Sequence, residues 1–446
     1  MKQEGLKREL GLAAATAIVV GNMMGSGIFT SPQSLAQVAS PWITTVAWLI
    51  TGIGSVLLAL SFANLGSKYP ETGGPIVYTH RAFGEFMAFL VAWTFWIGSW
   101  IGNAAIITAI IRYLTPFFPV LKTNPPLTFL VASIILWGFT YINYRGVKEA
   151  GFIGIITTVL KLGVIFIFML IALFGFNAQN LKTVATPDVS GWGALPSAIA
   201  VTLWSFLGLE SAAISGGEIK NPEKNIKRST FLGTLFAAII YLFLSILAMG
   251  ALPQVELAAS EAPLASIINH ITGGTWGGMF ISLGIVISAG GAMSGWVLTT
   301  ARLSFAAGQD RLFPEYFAKV HPKYHTPYTS LIVTSIATNL LLSLNYFGDL
   351  TSTFDFMINL ATAAFIPAYA LTTCAEILLT FKKVHHMTPL RFIRYSFLSL
   401  LAFIYAIYII YGAGAESAMW VFLLMFIGVP FYVYQKLHDR AYKRHD

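Results

Sequence analysis

Residues 21–29 read Gly21-Asn22-Met23-Met24-Gly25-Ser26-Gly27-Ile28-Phe29, a Gly-Ser-Gly set in the middle of the first long apolar stretch. Glycine costs about 1 kcal/mol against alanine in a helix interior, so a helix is expected to open here. An outer half-helix restarting just after Gly27 would offer free amide N–H groups and the positive end of its dipole, which suits a carboxylate. Five apolar stretches later the chain reads Trp204-Ser205-Phe206-Leu207-Gly208-Leu209-Glu210. A break between Ser205 and Gly208 would end the outer half of that helix in free carbonyl oxygens, which accept from an ammonium group. Donors for a carboxylate beside acceptors for an amine are the polar signature of an α-amino acid. Interruptions at matching places in two halves also mark the site of an inverted-repeat transporter. The plainer alternative is that these glycines only let helices pack closely. The pairing of the breaks in spans 1 and 6 favours function.

Composition supplies the solvent. Of 446 residues, 56% are hydrophobic and 10% charged, too little charge to cover a soluble domain. Apolar runs long enough for roughly 30 Å of hydrocarbon recur throughout. They predict twelve spans: 12–38, 42–66, 84–113, 127–144, 148–175, 193–217, 229–252, 277–307, 328–346, 354–380, 392–412 and 417–434. The even count puts both termini on one side. Lys and Arg concentrate in the termini and in the loops after spans 2, 4, 6, 8 and 10, with Lys2, Lys7, Arg8, Lys68, Arg81, Arg145, Lys148, Lys220 and Lys383 as examples. Arg112, Lys122 and Lys182 are assigned to the opposite loops and Lys161 to a span interior. The positive-inside rule then makes both termini cytoplasmic.

Several classes are set aside. The longest polar segments, 176–192 and 308–327, are too short for a core of their own, and no cleavable signal is expected at the first span. The lone Cys374 excludes an internal disulfide and a thiolate metal cluster. His80, His321, His325, His385, His386, His438 and His445 fall in cytoplasmic loops, with His270 apart, and none has metal-site spacing. No metal or cofactor is called for, and the net charge of +8 belongs to the membrane rather than to nucleic acid. No P-loop indicates an ATP-driven pump, and no catalytic constellation at membrane depth indicates an enzyme. A channel would not need a carboxylate-and-amine site.

The string GNMMGSGIF resembles the most diagnostic motif of the amino acid–polyamine–organocation superfamily. LWSFLGLESAAISGGEIKNPEKN in span 6, WIGSWIGNAA in span 3 and GWVLTTARLSFAAGQDRLFP in span 8 resemble its arginine/agmatine and basic amino acid/polyamine antiporter branch. The likeness runs through nearly the whole chain. It implies an all-α integral membrane protein in a bacterial inner membrane. Twelve transmembrane helices would form one domain, 1–446: a five-plus-five inverted repeat (12–175 and 193–380) with helices 1 and 6 broken, plus two extra helices (392–434) at a homodimer contact. By matching position, Gly25, Ser26, Gly27 and Ile28 fall at the carboxylate end, and Met23, Trp204 and Leu207 offer carbonyls to the amine. Trp204 would close over the substrate as a gate, Asn103 and Trp296 would line the side-chain pocket, and Glu210 would sense protons. The implied activity is exchange of an amino acid, a cationic one or its amine favoured, by alternating access.

One residue departs from that branch. Lys161 stands at the centre of span 5, where the arginine/agmatine antiporter is apolar, whereas L-amino acid transporters and proton-coupled permeases resemble this chain in carrying a lysine there. That favours the alternative of a proton-coupled permease or exchanger for neutral amino acids. About 13 residues from either end of its span, Lys161 cannot snorkel to an interface, so it either bonds helix carbonyls or organises transport. For Glu210 the plainer alternative is a carboxylate held by a lysine or hydroxyl. Glu218 is expected in a solvated pair with Lys220, Asp355 and Glu376 at the membrane interface, and Trp42, Trp192 and Trp420 in the aromatic belts.

Overall fold

The computed structural model describes residues 8–182, 191–345, 350–382 and 388–442. Lys2, Lys7, Lys383, His385, His386 and His445 lie outside them, as do the side chains of Lys148, Asp355 and His438. The described chain is helical, joined by isolated backbone bridges from Leu10 to Ile219 and from Thr72 to Ser215.

The first span is two helices, α1a (Leu12–Met23) and α1b (Gly27–Val38). Then come α2 (Pro41–Lys68), α3 (Glu85–Leu114), α4 (Pro125–Arg145) and α5 (Val147–Phe174). The sixth span is likewise divided, into α6a (Leu195–Trp204) and α6b (Ser211–Ile214). The remainder are α7 (Pro222–Ala251), α8 (Trp276–Gln309), α9 (Tyr328–Asn345), α10 (Leu350–Phe381), α11 (Pro389–Gly412) and α12 (Gly414–Tyr442). Among the described residues, ten spans are long and apolar enough to cross a membrane, α1a and α1b counting as one. The other two of the twelve expected are the broken sixth and the 18-residue α9.

Hydropathy misjudged two boundaries clearly: α12 runs to Tyr442, not 434, and α7 starts early. α7 begins at Pro222, not 229, because polar sequence can start a helix when its signals are right. Asn221 is left-handed at φ 47°, proline takes the first turn, and Glu223 meets the positive dipole end. Hydropathy also missed the short connecting helices Pro75–Phe83, Gln254–Ala259 and Pro263–Thr272.

Packing sorts the helices by solvent. α3 and α8 run through the centre, packed against each other, α3 also against α10 and α8 against α5, while α1a lies among α5, α7 and α8. α12 turns Phe422, Phe426, Phe431 and Leu437 outward, the pattern of a helix whose outer solvent is lipid. Trp42, Trp192 and Trp420 are exposed near helix ends, consistent with the belt reading. α11 packs on α10, α2 and α6a, so the eleventh helix also braces the outer half of the broken sixth.

Candidate substrate site

The opening in α1 comes where the glycines stand. The amide of Met24 still donates to Val20 O at 2.9 Å, and the next bonds of the new helix are Phe29 and Thr30 to Ser26 O, each 3.2 Å. Between them the amides of Gly25, Ser26, Gly27 and Ile28 have no acceptor among the described residues. The Ser26 hydroxyl, also buried, is unpartnered. A row of bare donors at a helix N-terminus has the chemistry to bind an anion.

The opening in α6 is longer and more self-contained. Residues 205–210 turn on short-range bonds: Phe206 to Leu203 O at 2.8 Å, Ser205 to Thr202 O at 3.1 Å, Leu209 to Phe206 O at 3.3 Å. The carbonyls of Ser205 and Leu207 receive no backbone bond, and Trp204 O receives only a long one from Leu207, 3.4 Å. Thus the expected acceptors are fewer than a bare helix end would give. Gly208 makes the turn at φ 111°, and a Cβ on it would stand 2.8 Å from Asn22 Cβ and 3.0 Å from Met23 N. Only glycine allows both the dihedral and the approach of the two breaks.

Between the breaks lies a small cavity of about 20 Å³. Met23, Gly25, Ser26, Gly27, Trp204, Leu207 and Trp296 line it, as the resemblance implies; so do Asn22, Ser99, Gly102, Ile106 and Phe365, which had no assigned role. Ile28 and Asn103 do not line it. Asn103 is buried with both amide atoms unpartnered. A second cavity, about 120 Å³, follows α1b through Thr30, Ser34 and Gln37. Trp204 and Gly27 belong to both. The Trp204 ring is therefore the partition, lying close enough to Gly27 that a Cβ there would meet it at 2.8 Å.

A chain of this build has relatives. The family model described as amino acid permease matches residues 10–433. The chain belongs to the amino acid permease family. An arginine/ornithine antiporter of Pseudomonas aeruginosa is 32% identical to the permease over 429 residues, covering 93% of this chain and 88% of that protein. An arginine/agmatine antiporter of Chlamydia felis is 30% identical over 444 residues, 96% of this chain and 90% of that one. Among solved structures, Mhp1, a nucleobase-cation-symport-1 family transporter in a closed conformation with bromovinylhydantoin bound, aligns with a TM-score of 0.52 at 16% identity. It covers 94% of the permease and 96% of its own chain, a likeness of fold alone. The permease is thus a multi-pass membrane transporter and not an enzyme.

Around the cavity the permease ties the breaks to the central helices. Asn22 Nδ2 donates to Ser211 Oγ at 2.8 Å and Thr299 Oγ1 at 3.1 Å, while Asn22 O accepts from Trp296 Nε1 at 3.1 Å. One residue at the α1 opening so holds α6b and α8. Its signal was in the motif, but amide side chains serve helix contacts and ligands alike. Lys161 Nζ donates to Gly21 O at 2.7 Å and is 1% exposed. It props α1a from α5 just before the break, the carbonyl-bonding alternative in geometric form. Glu210 Oε2 accepts from Tyr369 Oη at 2.8 Å and from the Gly208 amide at 3.3 Å. Its partner is a hydroxyl, reaching across from α10.

One expectation is corrected. Glu218 is not a solvated partner of Lys220: it is fully buried and grips Arg302 through two bonds, 3.0 and 3.1 Å. Arg302 lies inside α8. A carboxylate taken out of water needs a partner that stays charged, and arginine supplies it. Glu376, partly buried near the end of α10, accepts from Asn64 at 2.9 Å and Ser399 at 2.8 Å, pinning α10 to α2 and α11. Beyond α8, Asp310 lies 3.6 Å from His80, and burial pushes its carboxyl above the usual range, with His80 acting against the shift.

Proposed function

We propose that the permease exchanges a cationic amino acid for a related amino acid or amine by alternating access. One observation carries the reading: three bare amides, Gly25 to Gly27, share a cavity with Met23 and Leu207, whose carbonyls receive no backbone donor. The amides and Ser26 hydroxyl take the substrate carboxylate, and the carbonyls take its ammonium. Trp204 gates the cavity, Trp296 forms its wall, and Glu210 makes the rate respond to protons. The repeats 12–175 and 193–380 move about this point, and helices in 392–434 flank them and meet a second copy. Both termini are cytoplasmic, in a bacterial inner membrane. Relatives named for arginine exchange with ornithine and with agmatine support the cationic class.

A second reading, neutral amino acids, is favoured by Lys161 and by the absence of any carboxylate among the cavity-lining residues. The test is counterflow from liposomes loaded with radiolabelled arginine. Release driven by external arginine, ornithine or agmatine is expected. Exchange with neutral amino acids alone would replace the first reading by the second.

A further inference from the structure

We propose that Phe365 on α10 sets which side chains the cavity accepts. The inference rests on the amino acid reading above. With the charged head held at the two breaks, the side chain of a substrate must extend toward α3, α8 and α10. The polar groups on that wall are already engaged: Ser99 Oγ donates to Phe95 O at 2.7 Å, and Trp296 Nε1 donates to Asn22 O. With its donors engaged, the wall reads a side chain chiefly by size and by its aromatic surfaces, the Ser99 oxygen remaining only as an acceptor.

Phe365 is the α10 residue in that wall, and it is clamped. Its ring stands edge-on to Phe95 at 4.4 Å and to Trp296 at 5.6 Å between centroids. It also presses on Gly98, where a Cβ would lie 3.0 Å from the ring. Three neighbours fix the ring, so it limits the cavity as a rigid wall rather than an adaptable one. Tyr369, which holds Glu210, lies one turn along α10 with its ring 6.2 Å away. A side chain pressing on Phe365 thereby presses on the contact between α10 and the α6 break.

The test is competition binding and counterflow with two graded series, alanine, leucine, phenylalanine and tryptophan, and ornithine, lysine, arginine and homoarginine. Phe365→Ala is expected to shift the affinity ratio of the longest to the shortest accepted member by about tenfold or more toward the longest, the scale at which apolar pockets discriminate size. An unchanged ratio, with all affinities constant or falling together, would overturn the proposal. Should Phe365→Ala not fold, Phe365→Leu removes the ring at similar volume, and the same ratio is read on it. Failure of the unsubstituted permease to bind any cationic member defeats the cationic reading, and Phe365 is still judged on the neutral series.

Discussion

The two helix breaks share one cavity but solve opposite problems. At α1 the chain leaves four successive amides and the Ser26 hydroxyl without partners. At α6 it spends six residues closing most of the gap with its own short-range bonds, then adds Glu210 and Tyr369 as an outside tie. A buried donor without an acceptor costs about 1–3 kcal/mol, so the α1 break is a standing demand that an anion meets. The α6 break leaves side-chain groups bare instead, the Trp204 ring N–H, the Ser205 hydroxyl and one Glu210 oxygen. Bonds of the kind it uses are poorly aligned and readily exchanged. Under the proposed exchange, recognition of the carboxylate would fall to α1 and the moving part, with Trp204 at its edge, to α6.

The largest effect should come where the breaks touch. Gly208→Ala demands a positive φ from an L residue and drives a methyl into Asn22 and Met23. A loss of more than about 2 kcal/mol is expected, seen as a lower melting temperature of the purified protein together with lost exchange. An unaltered melting point would mean that the breaks do not meet as drawn. Next comes the demand itself. Ser26→Leu removes the bare hydroxyl and fills the anion end, and binding should fall at least about a hundredfold, on the scale of losing about 3 kcal/mol of polar contact. Melting should stay near the parent's. Retained affinity would strip α1 of its recognition role.

Much of this was legible in the chain. Glycines and a serine at mid-span carry their own backbone physics, so the sites of both openings could be read from residues 21–29 and 204–210. Long apolar runs gave the spans for the same reason: length and hydropathy are local properties. What failed were properties of partners. Glu218 sits beside Lys220 in sequence but meets Arg302 in space, 84 positions away. Ser99, Gly102, Ile106 and Phe365 look like any apolar helix face until α3, α8 and α10 converge. Asn103 shows the reverse case: a motif match named it as pocket lining, yet it does not line the cavity.

The smallest expected effect sharpens the claim that α6 is the moving part. Tyr369→Phe deletes only the hydroxyl that Glu210 Oε2 accepts at 2.8 Å, and Glu210→Gln alters only the other end. Neither touches the bare amides of α1, so equilibrium binding should change less than about threefold, within the few tenths of a kcal/mol typical of changes that miss the contact. The exchange rate should shift severalfold, and its dependence on pH should flatten in Glu210→Gln. Because the two residues share one contact, the double variant should be no worse than the more severe single one, leaving a coupling energy of order 1 kcal/mol in the cycle. Strict additivity, or a loss of affinity equal to the loss of rate, would return Glu210 to a purely structural tie. The division of labour between the two breaks would then fall with it.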